Sequence, residues 1–490
     1  MIGHLSYILG VMVFASLLPD AIWEPGTVEY LFIVGMIGIW RYSWGALHIV
    51  RSIIYRAWVF PEWRRAINRL GDDVMPDHVM LLVTSFRQDS ETTRRVYDSV
   101  FREAVSCGLR TTVIASIVEM ADQRLIKELW NVYEGNPLVK LKFVRIPGTG
   151  KRDALAVGFR SIAAENPGPN DVAAVIDGDS MLEPGLIRKT AGFFAFDPKC
   201  GALTTDEFCE VEGRWIFKEW YNMRFAQRHI LMSSVGLSRK VLTLTGRMSM
   251  FRAHIVADRE FIERVQHDWI NHWRLGRFDF LTGDDKSSWF HVLSKGWDML
   301  YIPDVRVVTI ETPPDDRFLS SAWQLMRRWF GNMLRTNSRA VALGPGRIGW
   351  FPWICVVDQR ISMWTSLTGP AITLLVSVFV TPYMVLSYML WVLLTRYALT
   401  LALLTARPNV SATYPFLLYF NQVFGSMVKI YVVYHLDKQK WTRQSTTISR
   451  GLTSWKQRSL TWSSNISMTS GILIFMTSLA FLSGVLEAWQ

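Results

Sequence analysis

Two kinds of apolar pattern divide the chain. Long unbroken apolar runs occupy both ends, and the middle alternates short apolar runs with amphipathic stretches. Residues 2–18 are nearly all apolar, long enough to cross a bilayer with little tilt. They lack a basic leader region and a small-residue cleavage site, so they read as an anchor rather than a removed signal. A second apolar stretch spans residues 28–48, interrupted at Arg41. The connector between the two holds Asp20, Glu24 and Glu29 and no Lys or Arg, whereas Arg51, Arg56, Arg64, Arg65 and Arg69 follow. The positive-inside rule puts that basic side, and what comes after it, in the cytoplasm.

From residue 75 the period changes. HVMLLVTSF, TTVIASIVE, VKLKFVRIP and VAAVIDGD are strand-like, and ETTRRVYDSVFREAVSCG and KRDALAVGFRSIAAE between them are helical. Strands alternating with helices predict βα units on a mostly parallel sheet. Residues 269–290 are Trp-rich, with helix and loop expected, and GWDMLYIPDVRVVTIETPP reads as a late strand. Beyond Arg317 the pattern turns amphipathic: residues 320–335 mix Trp323, Leu325, Trp329 and Phe330 with Arg327, Arg328 and Arg335, as in a helix lying on a membrane surface.

Residues 350–357 are aromatic but too short to span. Residues 361–380 and 383–404 are each long enough, with a break at Thr381 and Pro382. Residues 414–435 are ambiguous, since they hold Asn421, Gln422 and Lys429. The basic loop beyond them (Lys438, Lys440, Arg443, Arg450, Lys456, Arg458) stays cytoplasmic only if that segment lies in the interface. That gives five spans, or six if it crosses, with a final one at residues 468–489. The expected divisions are an N-terminal hairpin (1–50), a basic connector (51–74), an α/β domain (75–316), interface helices (317–360), a membrane pair (361–406), an interface helix and basic loop (407–467) and a terminal membrane helix (468–490).

Composition agrees with membrane embedding: half of the 490 residues are hydrophobic, 22 are tryptophan, and mean hydropathy is +0.16. The net charge of +11 favours polyanions, nucleotides, anionic head groups or acidic sugars. The cysteines, Cys107, Cys200, Cys209 and Cys355, have neither metal-type nor disulfide-type spacing.

Candidate chemistry collects at the ends of the α/β runs. VAAVIDGDS, residues 172–180, closes a buried-type strand on Asp177 and Asp179. Alternate residues share a face, so the pair suits a cation or a metal–diphosphate complex; a plain Asp-Gly turn is the simpler alternative. GTGKRDA places Lys151 and Arg152 at a helix start after a Gly-rich turn, where cations and free N–H groups suit a diphosphate. LTGDDKSSW sets Asp284 and Asp285 in aromatic surroundings able to desolvate one of them into a general base, or else to cap a helix. TGRMSMFR, residues 245–252, reads as an acceptor-site loop rather than core, and QLMRRW supplies cations and an indole beside the membrane.

The ordered set DxD, TG, GDD and RRW before a membrane bundle resembles the processive membrane-embedded family 2 glycosyltransferases, the cellulose, hyaluronan and chitin synthases. The resemblance runs over nearly the whole chain. It implies a cytoplasmic, Rossmann-like GT-A domain between membrane helices, an inverting sugar transfer assisted by Mg2+ or Mn2+, and export of the polymer through the enzyme's own channel. It further implies that Asp177 contacts the nucleotide and Asp179 the metal. Asp285, beside Asp284, would act as base; Lys151 and Arg152 would serve the donor and Arg328 the leaving diphosphate. Trp329, with Gly246 and Arg247, would meet the acceptor, and the KWTRQ segment with Trp441 and Arg443 would close over the donor.

Two departures stand out. Gln324 lies five residues before Trp329 instead of the family's four, which turns it by roughly 100° on a helix and leaves Leu325 at the motif position. SFRQDSE replaces the usual acidic start after the first strand, and Glu119 replaces an aspartate after the second; both point to a donor other than a uridine nucleotide. Within the family, RRWFGNMLR and KWTRQ most resemble the mannuronan synthases of bacterial alginate production. That implies GDP-mannuronate as donor, a growing acidic polysaccharide as product and Arg247 pairing with the uronate carboxylate. It also implies the lipid of a bacterial inner membrane around the protein, no nucleic acid, and cyclic di-GMP control through a separate PilZ-type co-polymerase subunit. A synthase using a UDP-sugar, a non-processive lipid-linked transferase and a non-enzymatic channel are the alternatives.

Overall fold

The computed structural model describes residues 2–86, 88–440 and 453–485. Its strands are β1 (Val79–Thr84), β2 (Thr111–Ile117), β3 (Val139–Arg145), β4 (Val172–Asp177), β5 (Ser180–Leu182), β6 (Cys200–Val211), β7 (Met248–Arg252), β8 (Trp269–His272), β9 (Gly276–Asp279) and β10 (Asp298–Glu311). Eight form one sheet in the order β3-β2-β1-β4-β7-β6-β10-β5, and β8 pairs with β9 as a separate hairpin. β1 runs parallel to β2 and β4, and β2 to β3. β1 and β2 are buried along their whole length, because helices cover both faces; their apolar runs therefore do not alternate. β3, at the edge, carries Lys140, Lys142 and Arg145, charges that discourage pairing with another chain.

The other half is mixed rather than parallel. β7 runs antiparallel between β4 and β6, and β5 antiparallel to β10. β7 corrects the reading of residues 245–252 as a loop. Met248–Arg252 is fully buried, its one hydroxyl satisfied by a 2.7 Å bond from Ser249 Oγ to the Thr245 carbonyl, and only the residues just before it reach the site.

Helices pack on this sheet and carry it onto the apolar part of the chain. The helix Ser90–Ser106 is capped by Asp89, whose carboxylate accepts from Thr92 N at 2.8 Å. The helix Trp215–Gly236 packs against the N-terminal helix Pro25–Ile54, where His48 Nδ1 and Ser234 Oγ lie 2.9 Å apart. Among the described residues, four helical stretches are long and apolar enough to cross a membrane: Trp350–Phe379, Met384–Thr405, Tyr414–Tyr434 and Ser454–Leu482. The aromatic residues 350–357 are thus not a separate short piece, since they begin a 30-residue stretch. Likewise the terminal helix starts at Ser454, ahead of the expected residue 468, and takes in Lys456 and Arg458. Ile2–Ser16 is apolar but has only 15 residues.

The flanks and middle of Tyr414–Tyr434 all touch the sheet domain. Before it, Arg407 makes a two-pronged ion pair with buried Asp206 on β6, at 2.8 and 2.9 Å, and Thr413 Oγ1 donates to Glu219 at 3.3 Å. Midway, Trp220 Nε1 donates to Asn421 Oδ1 at 2.8 Å. At its end, Arg274 of the β8–β9 turn donates to the Tyr434 carbonyl at 2.7 Å, and Gln439 Nε2 to the Asp279 carbonyl at 2.8 Å.

Candidate active site

Strand ends and helix starts converge on one cavity of about 470 Å³. β4 delivers Asp177 and, past the turn, Asp179; both line it. The helix Lys151–Ala163 begins at Gly150, so Lys151 projects from its first turn into the cavity. Lys151 Nζ lies 2.6 Å from Asp177 Oδ1 and 3.2 Å from Asp284 Oδ2. Burial works against its charge, but Asp177 and Asp284 outweigh that and hold its pKa above the usual value. Gly246 closes over this pair: a Cβ there would stand 2.7 Å from Asp177 Oδ2 and 2.8 Å from Lys151 Nζ, so no larger residue fits without parting them.

The two carboxylates of GDD have opposite electrostatic fates. Both sit in the first turn of the helix Asp284–Ser294, where the N-terminal end of the helix dipole favours anions. Burial raises the pKa of each. For Asp284, Lys151 and Arg152 reverse that and lower it. For Asp285, repulsion from Asp284 adds to burial, and its pKa is pushed up to about 6. The turn before them needs Gly283: its φ is +87°, and a Cβ would lie 2.9 Å from Asn332 Cγ. Lys286, pulled down to about 8 by burial, donates to the Leu242 carbonyl at 2.5 Å and also lines the cavity.

The helix Phe318–Ala342 supplies Leu325, Arg328, Trp329 and Asn332 to the wall. Trp329 packs on Trp220, with ring centres 5.8 Å apart, and on Tyr221 at 6.2 Å. Arg247 lines the cavity too, but it is already matched. Its guanidinium bonds Glu207 at 3.0 Å and Glu311 at 2.5 Å, and these carboxylates lift its pKa in spite of burial. Its charge is therefore taken up within the protein.

Of the residues expected from sequence, Asp177, Asp179, Lys151, Gly246, Arg247, Asp284, Asp285, Arg328 and Trp329 share this one cavity. Three others do not line it. Arg152 is buried behind the site, donating to the Val265 carbonyl at 2.6 Å, the Thr282 carbonyl at 3.0 Å and Ser287 Oγ at 3.2 Å. There it braces the GDD turn. Glu119 precedes the helix Met120–Trp130, next to Val118, which does reach the wall. Gln324 turns back to Ser320 Oγ at 3.4 Å, as its offset position predicts, and Leu325 lines the cavity. Trp441 and Arg443 lie outside the described residues. What the motifs did not reveal is the helix Trp215–Gly236, whose Tyr221, Arg224, Phe225 and Arg228 line the wall; the i, i+3, i+4, i+7 spacing was the available signal.

Residues 76–332 match the family described as Glycosyltransferase like family 2. The chain is 49% identical over 477 residues to "Glycosyltransferase alg8" of Pseudomonas syringae pv. tomato, with 97% of each chain covered. It is 46% identical to "Glycosyltransferase alg8" of Azotobacter vinelandii, again with 97% of each chain covered. Among solved structures it is similar to a mannosyltransferase of Pyrobaculum calidifontis in complex with GDP-Man and Mn2+, at 16% identity and a TM-score of 0.42, covering 78% of this chain and 97% of that one. With a family match over more than half its length and two near-full-length relatives, the chain belongs to the family 2 glycosyltransferases and is an enzyme with a GT-A domain joined to membrane-type helices.

Proposed function

We propose that this enzyme is a processive inverting synthase that polymerises mannuronate from GDP-mannuronate and passes the polymer through its own membrane helices. The observation that carries the reading is the single cavity holding Lys151, Asp177 and Asp179, the high-pKa carboxylate Asp285 and the indole of Trp329. Identity of 46–49% over nearly the full length to glycosyltransferases alg8 supports the alginate-type product, and so does the surplus of basic residues.

In this reading Trp329 holds the acceptor sugar by stacking, and Asp285 takes the proton of its hydroxyl. The hydroxyl oxygen bonds to the anomeric carbon of the donor as the bond from that carbon to the diphosphate breaks, so GDP leaves and the anomeric configuration inverts. A carboxylate with a pKa near 6 is ionised at neutral pH and still a useful base. Lys151 and Arg328 receive the charge of the departing diphosphate. The donor set suits a hard divalent cation. Asp179, with Asp177, offers carboxylate oxygens, and no group of three metal-type side chains forms among the described residues, as in sites where phosphate oxygens complete the shell. Mg2+ or Mn2+ bound there would supply charge neutralisation to the diphosphate. A cytoplasmic catalytic domain in a bacterial inner membrane and a separate PilZ-type co-polymerase subunit belong to the same reading.

The test is polymer synthesis by the purified chain in lipid with Mg2+ and a panel of GDP- and UDP-sugars. High-mass polymer from GDP-mannuronate is the expected result. Polymer from a UDP-sugar, or a single transfer without elongation, overturns the reading.

A further inference from the structure

Among the described residues, Arg224 in the cavity has no carboxylate to neutralise it. Arg224 lies on the cavity-facing side of the helix Trp215–Gly236 and shares the wall with two cations that are already matched. Arg228 pairs with Glu207 at 3.1 Å, and Arg247 with Glu207 and Glu311. Arg224 instead lies over indole rings, its guanidinium carbon 4.3 Å from the centre of Trp329 and 5.2 Å from that of Trp220. Among the described residues no carboxylate pairs with it and no acceptor takes its hydrogen bonds. Burial lowers its pKa to about 10, with Tyr221 opposing and Arg247 adding to the fall. An enclosed guanidinium beside other cations gains most from an anion, and its planar fork matches a carboxylate through two parallel hydrogen bonds.

The position narrows the class of anion. In the reading above the diphosphate already has Lys151, which lies against Asp177 and Asp284, and Arg328. Arg224 stands against the indole that holds the acceptor sugar in the reading above, so the anion within its reach is one carried by that sugar. We propose that Arg224 binds the carboxylate of the uronate unit held at Trp329, and so selects an acidic chain end over a neutral one. The inference rests on the polyuronate reading and assigns its charge recognition to a residue other than Arg247, which Glu207 and Glu311 already neutralise.

The experiment uses the full chain in lipid nanodiscs. Binding of a mannuronate oligomer is compared with binding of the same oligomer after its carboxyls are reduced to alcohols, for wild type, Arg224→Gln and Arg224→Lys. Wild type is expected to prefer the acidic oligomer by about 10- to 100-fold, the range for hydrogen bonds to a charged group. Arg224→Gln is expected to lose that preference and Arg224→Lys to regain part of it, and GDP affinity in each variant reports that the domain is folded. In elongation assays the loss falls on the acceptor KM more than on kcat. An Arg224→Gln enzyme that keeps the preference, or a wild type that has none, overturns the inference. A wild type that prefers the acidic oligomer yet makes no polymer from GDP-mannuronate overturns the donor assignment and leaves the role of Arg224 standing.

Discussion

Burial and a neighbouring charge hold Asp285 in a state that costs the fold something and that the proposed reaction would use. Its carboxyl has a pKa of about 6 against an ordinary 3.8, because burial and the Asp284 charge both disfavour ionisation. The folded state therefore keeps the Asp285 proton more tightly than the unfolded chain. Stability falls as pH rises from about 4 to 6 and stays lowered above. Removing the ionisable group should relieve this. Asp285→Asn is expected to abolish polymer synthesis while stabilising the domain by about 1–3 kcal/mol at pH 8, read as a rise in the thermal midpoint in the presence and absence of GDP. A variant that still makes polymer, or one that melts lower at pH 8, contradicts the assignment. The same carboxylate must be ionised to accept a proton, so kcat/KM should fall on the acid side as pH drops through about 6; a profile flat from pH 8 to 5 would point to another base. The acidic residues of this site were legible in sequence as DGD and GDD. The basic ones were legible in part: Lys151 and Arg328 are among the lining residues, but the partners of Arg247 come from β6 and β10, whose approach no local pattern announces.

The turn that carries Asp284 and Asp285 is clamped from several elements. Arg152 holds the Thr282 carbonyl from the helix Lys151–Ala163, and Arg335 of the interface helix donates to Thr282 Oγ1 at 3.0 Å and Asn332 Oδ1 at 2.6 Å. Gln439 completes a side-chain bridge to the strand before the turn, accepting from Leu281 N at 3.0 Å and donating to the Asp279 carbonyl. At the centre is Asp268, 4% exposed, which takes two bonds from Arg339 at 2.6 and 2.9 Å and one from Ser287 Oγ at 2.6 Å. Asp268→Asn leaves Arg339 and nearby Arg152 without their carboxylate. The expected cost is about 3–5 kcal/mol of stability in a denaturant titration. In enzyme that remains folded, kcat should fall by about 10- to 100-fold through misplacement of Asp285, with the donor KM little changed. An unaltered kcat would mean the clamp does not set the base. Arg152, expected beside Lys151 at the donor, is instead buried behind the cavity, its guanidinium bonded to the Val265 and Thr282 carbonyls, packing that a local sequence pattern does not announce. The first four strands and their helices were legible from period alone. β7 was not, because a short strand with a central serine becomes core only when β4 and β6 pair on either side of it.

The contacts of one apolar helix bear on how the chain sits in a bilayer. Length and hydropathy allow Tyr414–Tyr434 to cross. A crossing helix has its ends about 30 Å apart on opposite faces of the hydrocarbon layer. Here both flanks bond to the same domain, through Arg407 and Asp206 at one end and Gln439 and Asp279 at the other, with Asn421 tied to Trp220 between them. A water-facing sheet domain cannot reach both sides of a bilayer, so this helix is expected to lie along the interface, on the catalytic side. The same placement keeps Lys438, Lys440, Lys456 and Arg458 on the side of Arg51 and Arg56, as the positive-inside rule asks. With that placement, Trp350–Phe379 and Met384–Thr405 are expected to form a hairpin whose turn, at Pro382, faces away. The check is labelling of single cysteines by a membrane-impermeant maleimide in intact cells, with the native cysteines replaced. Pro382→Cys should react from outside, whereas Val410→Cys and Lys438→Cys should react only after the membrane is opened. If Lys438→Cys is labelled from outside and Val410→Cys is not, Tyr414–Tyr434 crosses, and the bonds from Gln439 to the base-bearing turn could not form in the membrane.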